Sequence, residues 1–168
     1  RHARRRPPET LMPFGHIPPE AFHRLSGLDI FREMLAGRLP APPIAATLDF
    51  IMTQADEGFV VFEGTPRHAF DNPLGTVHGG WAATLLDSAM ACAVHSTLAV
   101  GLAYTTVEMK LNYVRPITEA TGKVQCEGKI VSVGRTLATS EGRLVDARGR
   151  LLAHGTETCL IFPARATP

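Results

Sequence analysis

The strongest pattern in the chain is a proline-free stretch at residues 79–97 that is rich in alanine, leucine and methionine. Its apolar side chains cover most of the circumference of a helix, and they are Trp81, Ala82, Ala83, Leu85, Leu86, Ala89, Met90, Ala93 and Val94. A helix that is apolar nearly all round is buried rather than laid on a surface. The pattern therefore predicts one long helix at the centre of the fold.

Strand patterns follow this helix. In residues 104–114, apolar Val107 and Met109 alternate with polar Thr106 and Glu108, which is the two-residue period of a strand. Three more strands are predicted at 121–133, 135–146 and 150–162. The last two connections are short, so we expect antiparallel hairpins. One sheet must then wrap around the helix, because no other element is long enough to cover it.

Two weaker strands are predicted ahead of the helix. From residue 44 the pattern favours a strand, in which Leu48 and Phe50 belong to an alternating run. A second strand is predicted at 59–62. Residues 64–77 contain two glycines and two prolines, which predicts a loop leading into the central helix.

The chain ahead of these strands has a different composition. Residues 1–19 contain five prolines and little periodicity, which predicts an irregular arm. Residues 20–37 carry apolar side chains at three- and four-residue spacing, which predicts a helix in two pieces. We therefore divide the chain into 1–43, an N-terminal arm and helical extension, and 44–163, one domain of the α+β class.

Composition limits the possible partners. The 168 residues are 45% hydrophobic and 20% charged, which fits a single globular domain with one core. The formal net charge of +1 gives no overall basic field, so we expect no nucleic-acid partner. Four arginines do fall within Arg1–Arg6, and we interpret them as a solvated terminus rather than a binding patch.

The cysteines and the length of the apolar runs indicate the cellular compartment of the protein. Cys92, Cys126 and Cys159 are widely spaced and form no C-x-x-C pair, so we expect free thiols and no metal site. No apolar run approaches the roughly 18–20 residues that span a bilayer, and no signal-peptide pattern is visible. These observations predict a cytoplasmic protein with no membrane partner.

Asp87 is the candidate for chemistry because it falls in the middle of the predicted central helix, where an unpaired carboxylate is costly to bury. The face it occupies is otherwise small or polar, with Thr84, Ser88, Ala91 and His95. Two interpretations remain open. The face is either a solvated or subunit-facing stripe on which Asp87 bonds a neighbour, or it lines a cleft in which Asp87 is a base or nucleophile.

The start of the same helix is a second candidate. Gly79 and Gly80 are poor helix formers, and their position suggests a close approach of backbone to another group. The N–H groups of a helix N-terminus can stabilise the oxyanion that develops in acyl transfer, although a tight loop-to-helix turn is the simpler explanation. Gly79 and Asp87 are about 12 Å apart along the axis. If both act on one carbon, they must come from two subunits.

Residues 72–89 read NPLGTVHGGWAATLLDSA, and this segment closely resembles the motif of the PaaI-like hot-dog thioesterases. That group includes phenylacetate-pathway, hydroxybenzoyl-CoA and medium- or long-chain acyl-CoA enzymes. The resemblance extends over about residues 44–162 and implies a hot-dog fold, an antiparallel sheet wrapped around a long central helix. It also implies a homodimer that joins through a continuous sheet and assembles into a homotetramer.

The resemblance implies a role for each residue of the motif. Asp87 matches the catalytic carboxylate, which is a general base or a nucleophile, and Gly79 matches the backbone N–H that polarises the thioester carbonyl. Asn72 matches a loop residue that assists at the carbonyl or positions water. His78 matches an orienting residue, and Thr106 falls where some members hold the water with a hydroxyl.

The resemblance also implies a coenzyme A site and an acyl pocket. The segments that match coenzyme A contacts contain Ser132, Gly134, Arg135, Thr136, Arg115 and Pro116. The acyl pocket is expected near Leu74 and Trp81, the latter being bulkier than the usual residue at its position. The pocket is also expected to involve the helix at 27–37 and the loop at 64–77.

Taken together, the sequence predicts hydrolysis of an acyl- or aryl-CoA thioester with no cofactor, since coenzyme A is part of the substrate. No H-E-x-x-H or G-x-S-x-G motif occurs, which argues against a zinc hydrolase and an α/β-hydrolase. The alternative from another class is a non-catalytic acyl-CoA-binding or regulatory hot-dog protein. A hot-dog hydratase is a third possibility, but the Asp/His pair on a different loop pattern that it usually needs is not found.

Overall fold

The computed structural model describes residues 13–164. Within that range the helices and strands run in the order α1 (Gly27–Leu35), α2 (Pro43–Leu48), β1 (Phe50–Asp56), β2 (Phe59–Gly64), α3 (Gly79–His95), β3 (Leu102–Tyr113), β4 (Val124–Val133), β5 (Leu137–Asp146) and β6 (Leu151–Pro163). Short 3-10 helices lie at Pro19–His23, His68–Phe70 and Glu119–Thr121. The strands form one antiparallel sheet in the order β1-β2-β4-β5-β6-β3.

The sheet wraps around α3, as the apolar pattern predicted. Leu85, Leu86 and Met90 are fully buried between the helix and the sheet. The contact is close because strand glycines face the helix: a β-carbon at Gly128 would collide with the backbone of Ala89. The predicted α+β class and the four strands after the helix are confirmed.

The strand predicted from residue 44 is partly wrong. Residues 43–48 form the short helix α2, and β1 starts only at Phe50. Two local features explain the helix: Pro43 occupies the first helical position, where its missing N–H is not needed. Asp49 then ends the helix in the left-handed region, with a φ of 51°.

The two-residue period predicted for β3 is also interrupted. A β-bulge lies between Thr106 and Glu108, so Val107 is an extra residue relative to β6. Thr106 pairs with Cys159, and Met109 pairs with Glu157. Cys159 and Glu157 are both buried. The bulge therefore turns Thr106 inward on the same face as Met109, whereas strict alternation places them on opposite faces.

The N-terminal extension packs over the C-terminal half of α3. Its first predicted helical piece is the 3-10 helix at Pro19–His23, and its second is α1, which is capped by the side chain of Ser26. The N–H of Gly27 donates to the carbonyl of Leu98, and a β-carbon at Gly27 would collide with the His95 carbonyl. The division at residue 43 stays a prediction, and Arg1–Arg6 lies outside the described residues.

Candidate active site

The first turn of α3 presents backbone donors. Val77 and His78 are held by backbone hydrogen bonds to Ile117 and Phe70, which fixes the entry of the chain into the helix. His78 is the N-cap, and its Nδ1 accepts a hydrogen bond of 2.8 Å from the N–H of Gly80. That contact assigns the neutral imidazole hydrogen to Nε2.

Gly79 is the position at this turn with a spare donor. The N–H groups of Gly80 and Trp81 are both used by His78, through its side chain and its carbonyl. Among residues 13–164, no hydrogen-bond acceptor is found for the N–H of Gly79, which is half-buried. A free N–H at the positive end of a helix can polarise a carbonyl oxygen. The ring of Tyr113 packs against this glycine and its hydroxyl donates to the Gly79 carbonyl, 3.1 Å away.

Asp87 lies half-buried in the middle of α3, eight residues beyond Gly79. Its Oδ1 is 3.1 Å from the hydroxyl of Thr106, which reaches across from β3. The same hydroxyl is 2.6 Å from Oε1 of Glu157 on β6. The site therefore contains two carboxyl groups that share one hydroxyl.

Glu157 was not predicted as a site residue, although it is the most unusual acid in the fold. It is only 1% exposed, and burial raises its pKa from 4.5 to about 7. The charge of Asp87 adds to this increase, whereas hydrogen bonds from Thr106 and Cys159 oppose it. One signal in the sequence pointed to it: alternation in β6 places Glu157 inward between Gly155 and Cys159.

A cavity of about 520 Å³ opens beside Asp87. It lies between α3, the first two strands, the start of β3 and the N-terminal extension, and most of its lining is apolar. The apolar side chains that line it include Ile17, Phe22, Phe31, Met34, Phe50, Met52 and Phe62. Asp87 is the one carboxylate in this lining among the described residues, so the cavity can take an apolar group whose polar end meets Asp87.

The far wall of the cavity is an aromatic cluster around His95, the last residue of α3. The rings of Phe31 and Tyr104 lie 5.1 and 5.0 Å from the imidazole, and Phe22 stacks at 6.1 Å. Burial lowers the pKa of His95 to about 4, so this imidazole is neutral at pH 7. The His95 end of the face that it shares with Asp87 is thus covered by the extension and not solvated.

Asn72 is engaged within its own loop. Its side-chain oxygen accepts from the N–H of Leu74 at 2.9 Å, and its amide nitrogen donates to the hydroxyl of Thr76 at 2.9 Å. These contacts close the 72–76 turn ahead of α3. One amide hydrogen is left for a substrate or water, so the structure gives Asn72 a clear structural role and leaves its catalytic role a prediction.

The residues expected near coenzyme A do not come together within one chain. Ser132, Gly134, Arg135 and Thr136 are exposed at the β4–β5 turn. Arg115 and Pro116 are also exposed, but Arg115 donates to the carbonyl of Leu151 at the start of β6.

The length of β5 separates the two groups. The turn precedes Leu137, which pairs with Leu160, whereas Arg115 lies near the pairing of Val145 with Leu151. Strand geometry puts these ends about 25–30 Å apart. The two segments therefore do not meet within a single chain, because the connection from β3 to β4 crosses the opposite end of the sheet, and their contacts with coenzyme A stay predictions.

Only some of the residues predicted for the acyl pocket line the cavity beside Asp87. Leu74 is 89% exposed at the tip of its loop, and Trp81 is buried in the core, where its indole donates to the Leu48 carbonyl at 2.8 Å. Neither lines the cavity beside Asp87, and the 64–77 loop supplies none of its lining. The helix at 27–37 does contribute, through Phe31, Met34 and Leu35.

The remaining features of the described residues concern disulfides, membrane-spanning helices and metal-ligating clusters. Within residues 13–164, Cys92 is partly buried and Cys126 and Cys159 are buried, all as free thiols. No helix in that part of the chain has the length and apolar character needed to cross a membrane. No group of three or more ligating side chains able to hold a metal is found there either.

Comparison with known proteins gives the family. The family model described as the thioesterase superfamily matches residues 74–153. Human acyl-coenzyme A thioesterase 13 is 30% identical over 108 residues, which are 64% of this chain and 76% of that protein. A Halobacterium salinarum protein named as an esterase is 35% identical over 88 residues, 51% of this chain, and the match spans about half (56%) of its length.

Solved structures agree with the family model. A Ralstonia eutropha protein described as a thioesterase related to phenylacetic acid degradation has a TM-score of 0.71 and 31% identity, and the match covers 78% of this chain and 98% of that one. The Escherichia coli PaaI protein has a TM-score of 0.71 at 20% identity, over 84% of this chain and 96% of its own, which shows the fold alone. The predicted hot-dog fold and thioester-hydrolase class are confirmed, and this chain belongs to the thioesterase superfamily.

Proposed function

We propose that this protein hydrolyses acyl-CoA thioesters whose acyl group is apolar, and that Asp87 is its catalytic carboxylate. One observation carries the proposal: Asp87 is the single carboxylate in the lining of an apolar cavity, as far as the described residues show. An acyl chain inside the cavity leaves its thioester carbon beside that carboxylate. The human relative named as an acyl-coenzyme A thioesterase supports coenzyme A as the leaving group.

The reaction needs one group that polarises the carbonyl and another that supplies or activates the attacking atom. The thioester carbonyl is polarised by the free N–H of Gly79, and the attacking atom is either a water deprotonated by Asp87 or the Asp87 carboxylate itself. Either attack breaks the C–S bond and releases coenzyme A as a thiolate, which then takes up a proton. When Asp87 attacks, water hydrolyses the resulting acyl–Asp87 anhydride and frees the acid. The hydroxyl of Thr106 is 3.1 Å from Asp87 and holds it in place. His78 keeps the first turn of α3 in shape by accepting from Gly80, and Asn72 orders the loop before it.

Gly79 and Asp87 act on one carbonyl only if two chains share the site, because about 12 Å of helix separates them. The geometry of β3 supports such an assembly. It is a sheet edge of 12 residues on which Val107 and Tyr113 are 55% and 56% exposed, and long bare edges invite pairing with another strand. We propose a homodimer joined along β3 that assembles further into a homotetramer.

Arg135 is the proposed phosphate contact for coenzyme A. Its guanidinium is exposed at the β4–β5 turn, beside Ser132, Gly134 and Thr136, and guanidinium pairs well with phosphate. Arg115 and Pro116 contribute to the same nucleotide only from another subunit. The absence of a cofactor and the cytoplasmic location stay predictions.

A substrate panel tests this proposal. Purified protein is assayed with acetyl-, hexanoyl-, decanoyl-, palmitoyl-, phenylacetyl- and hydroxybenzoyl-CoA, and release of the coenzyme A thiol is measured. We expect turnover of the apolar substrates with the highest kcat/KM for a group that fills the cavity. The absence of thiol release from every thioester, combined with measurable acyl-CoA binding, supports the non-catalytic alternative instead.

A cavity variant sharpens the assay. Met34 lines the cavity and is 7% exposed, so Met34→Ala enlarges it and should move the preferred acyl chain to a longer one. Val131→Ala is the matched control, because Val131 is 60% exposed and lies outside the cavity lining. Equal preferences in both variants would place the acyl group elsewhere.

A further inference from the structure

We infer that Glu157 is a positioning residue of this site: in its protonated form it donates to Thr106 and so directs the Thr106 hydrogen to Asp87. The inference rests on the proposed function of Asp87. It is independent of the family motif, because Glu157 lies on β6, beyond the 72–89 segment and beyond the 74–153 match.

The Thr106 hydroxyl has two acid oxygens within hydrogen-bond distance but only one hydrogen. The Thr106 oxygen lies 2.6 Å from Oε1 of Glu157 and 3.1 Å from Oδ1 of Asp87. A hydroxyl has one hydrogen and can donate it to one of these oxygens only. With both carboxyl groups ionised, one contact sets two oxygen lone pairs against each other. One of the two acids therefore carries a proton.

Burial distinguishes the two acids. Glu157 is 1% exposed, whereas Asp87 is half-buried and borders the cavity. Oε2 of Glu157 is buried without a hydrogen-bond partner among the described residues. A neutral carbonyl oxygen tolerates such isolation far better than half of a carboxylate does. The proton therefore belongs to Glu157, and the hydrogen bonds run from Glu157 to Thr106 to Asp87.

The surroundings of Glu157 favour the same state. The titratable groups that face it are Asp87 and Cys92 on α3, Tyr104 and Glu108 on β3, and Cys159 on β6. Its partner across β5 is Ser140, which is buried and uncharged. No cation is found among these described neighbours. Burial first, and then the charges of Asp87 and Glu108, raise the pKa of Glu157 to about 7.

The arrangement makes the site sensitive to alkaline pH. When Glu157 loses its proton, the Thr106 hydrogen turns to the new anion, which is the nearer acceptor at 2.6 Å. Asp87 then loses its donor, and a second negative charge lies close to the developing oxyanion. We expect kcat to fall about tenfold between about pH 6 and pH 9, the size expected for losing one hydrogen bond to a charged group.

Kinetic measurements on Glu157→Gln test the relay. Glutamine keeps a donor for Thr106 and cannot ionise, so the variant should match the wild type at about pH 6 within about twofold and lose the alkaline fall. Glu141→Gln removes an exposed acid from the adjacent strand and should keep the wild-type profile. Thr106→Ser should keep the fall, and Thr106→Val should lower kcat at acid pH about tenfold because the link to Asp87 is gone.

An infrared measurement separates this inference from the proposed function. The wild-type minus Glu157→Gln difference spectrum should show a protonated-carboxyl band at about pH 6 that disappears by about pH 9. Absence of that band at acid pH overturns the inference, as does an unchanged alkaline fall in Glu157→Gln. If the wild type releases no thiol, the proposed function fails, and the band alone then decides whether Glu157 carries the proton.

Discussion

The first turn of α3 and its last turn lie in very different surroundings. At the first turn, His78 and Gly80 are exposed and Gly79 is half-buried with a spare N–H. At the last turn, His95 is 5% exposed beneath the extension and inside a ring of aromatic side chains. Asp87 lies between the two, at the mouth of the cavity.

The difference indicates that the two ends have separate tasks. The open end presents the unpaired N–H of Gly79, and the closed end lines an apolar space. A thioester needs both environments at adjacent atoms, yet one helix holds them about 12 Å apart. In the proposed homodimer, two antiparallel helices would remove the conflict, because the open end of one would lie beside the middle of the other.

Among the changes that test this difference between the two ends, removing the Asp87 carboxylate should have the largest effect on kcat. Asp87→Asn keeps the side-chain shape and the contact with Thr106 but removes the base or nucleophile. We expect kcat to fall about a thousandfold, or about 4 kcal/mol in activation free energy. Asp56→Asn, an exposed position at the end of β1, is the control for a lost charge. Near-normal kcat in Asp87→Asn would contradict the assignment.

Burial of His95 at the closed end should make the free energy of unfolding depend on pH in the acid range. The unfolded imidazole of His95 takes up a proton near its ordinary pKa of 6.5, whereas the folded one stays neutral down to about 4. The contribution of His95 to the free energy of unfolding should therefore fall by roughly 3 kcal/mol as the pH drops through that window, and stay level above it. It is measured as the difference between the wild type and His95→Phe, because Glu157, whose pKa is raised to about 7, contributes a slope of the opposite sign to both proteins. The free energy of unfolding is measured by denaturant titration at each pH. The His95→Phe variant should lack the decline due to His95, and the control variant His154→Gln, at an exposed position, should keep it.

The open end can be tested by removing one hydrogen. Proline is well tolerated at the first position of a helix, and the ψ of 135° at His78 suits a residue before proline. Gly79→Pro thus deletes the N–H of residue 79. Gly79→Ala is the matched control, because its β-carbon meets the Tyr113 ring as that of proline does, but the N–H is kept. We expect kcat of the proline variant to be about a hundredfold below that of the alanine variant. Equal rates would show that this N–H does not act.

The smallest of these effects concerns Arg135, which lies outside both ends of α3. Arg135→Ala should raise KM for acyl-CoA about tenfold and leave kcat nearly unchanged, because the phosphate contact is made equally in the ground and transition states. Arg143→Ala removes an exposed arginine from β5 and serves as the control. An unchanged KM would take Arg135 out of the coenzyme A site.

Much of the fold followed from local pattern. The apolar circumference of α3 and the short connections between β4, β5 and β6 are properties of short segments, so the sequence predicted these elements within a few residues. The helix α2 was missed because Leu48 and Phe50 alternate with polar residues whether or not a proline begins a helix at 43. The bulge at Val107 was missed because a single extra residue leaves no trace in an alternating pattern.

The site was predictable only where it coincides with the motif. Asp87 and Gly79 stand in one continuous segment, so their types and spacing could be judged directly. Glu157 meets Thr106 across β3 and β6, 51 residues apart, and only the strand register shows this contact. The cavity was equally hidden, because its lining comes from the extension, three strands and one side of α3.

The central claim is that Asp87 of one chain and the Gly79 N–H of another complete one site. Co-expression of Asp87→Asn chains with Gly79→Pro chains, carrying different tags, yields mixed dimers that can be purified on both tags. Each mixed dimer contains one intact pair and one doubly defective pair. Thiol release should therefore recover to about half of the wild-type kcat per dimer, far above either parent variant. Mixed dimers as inactive as their parents would contradict the account.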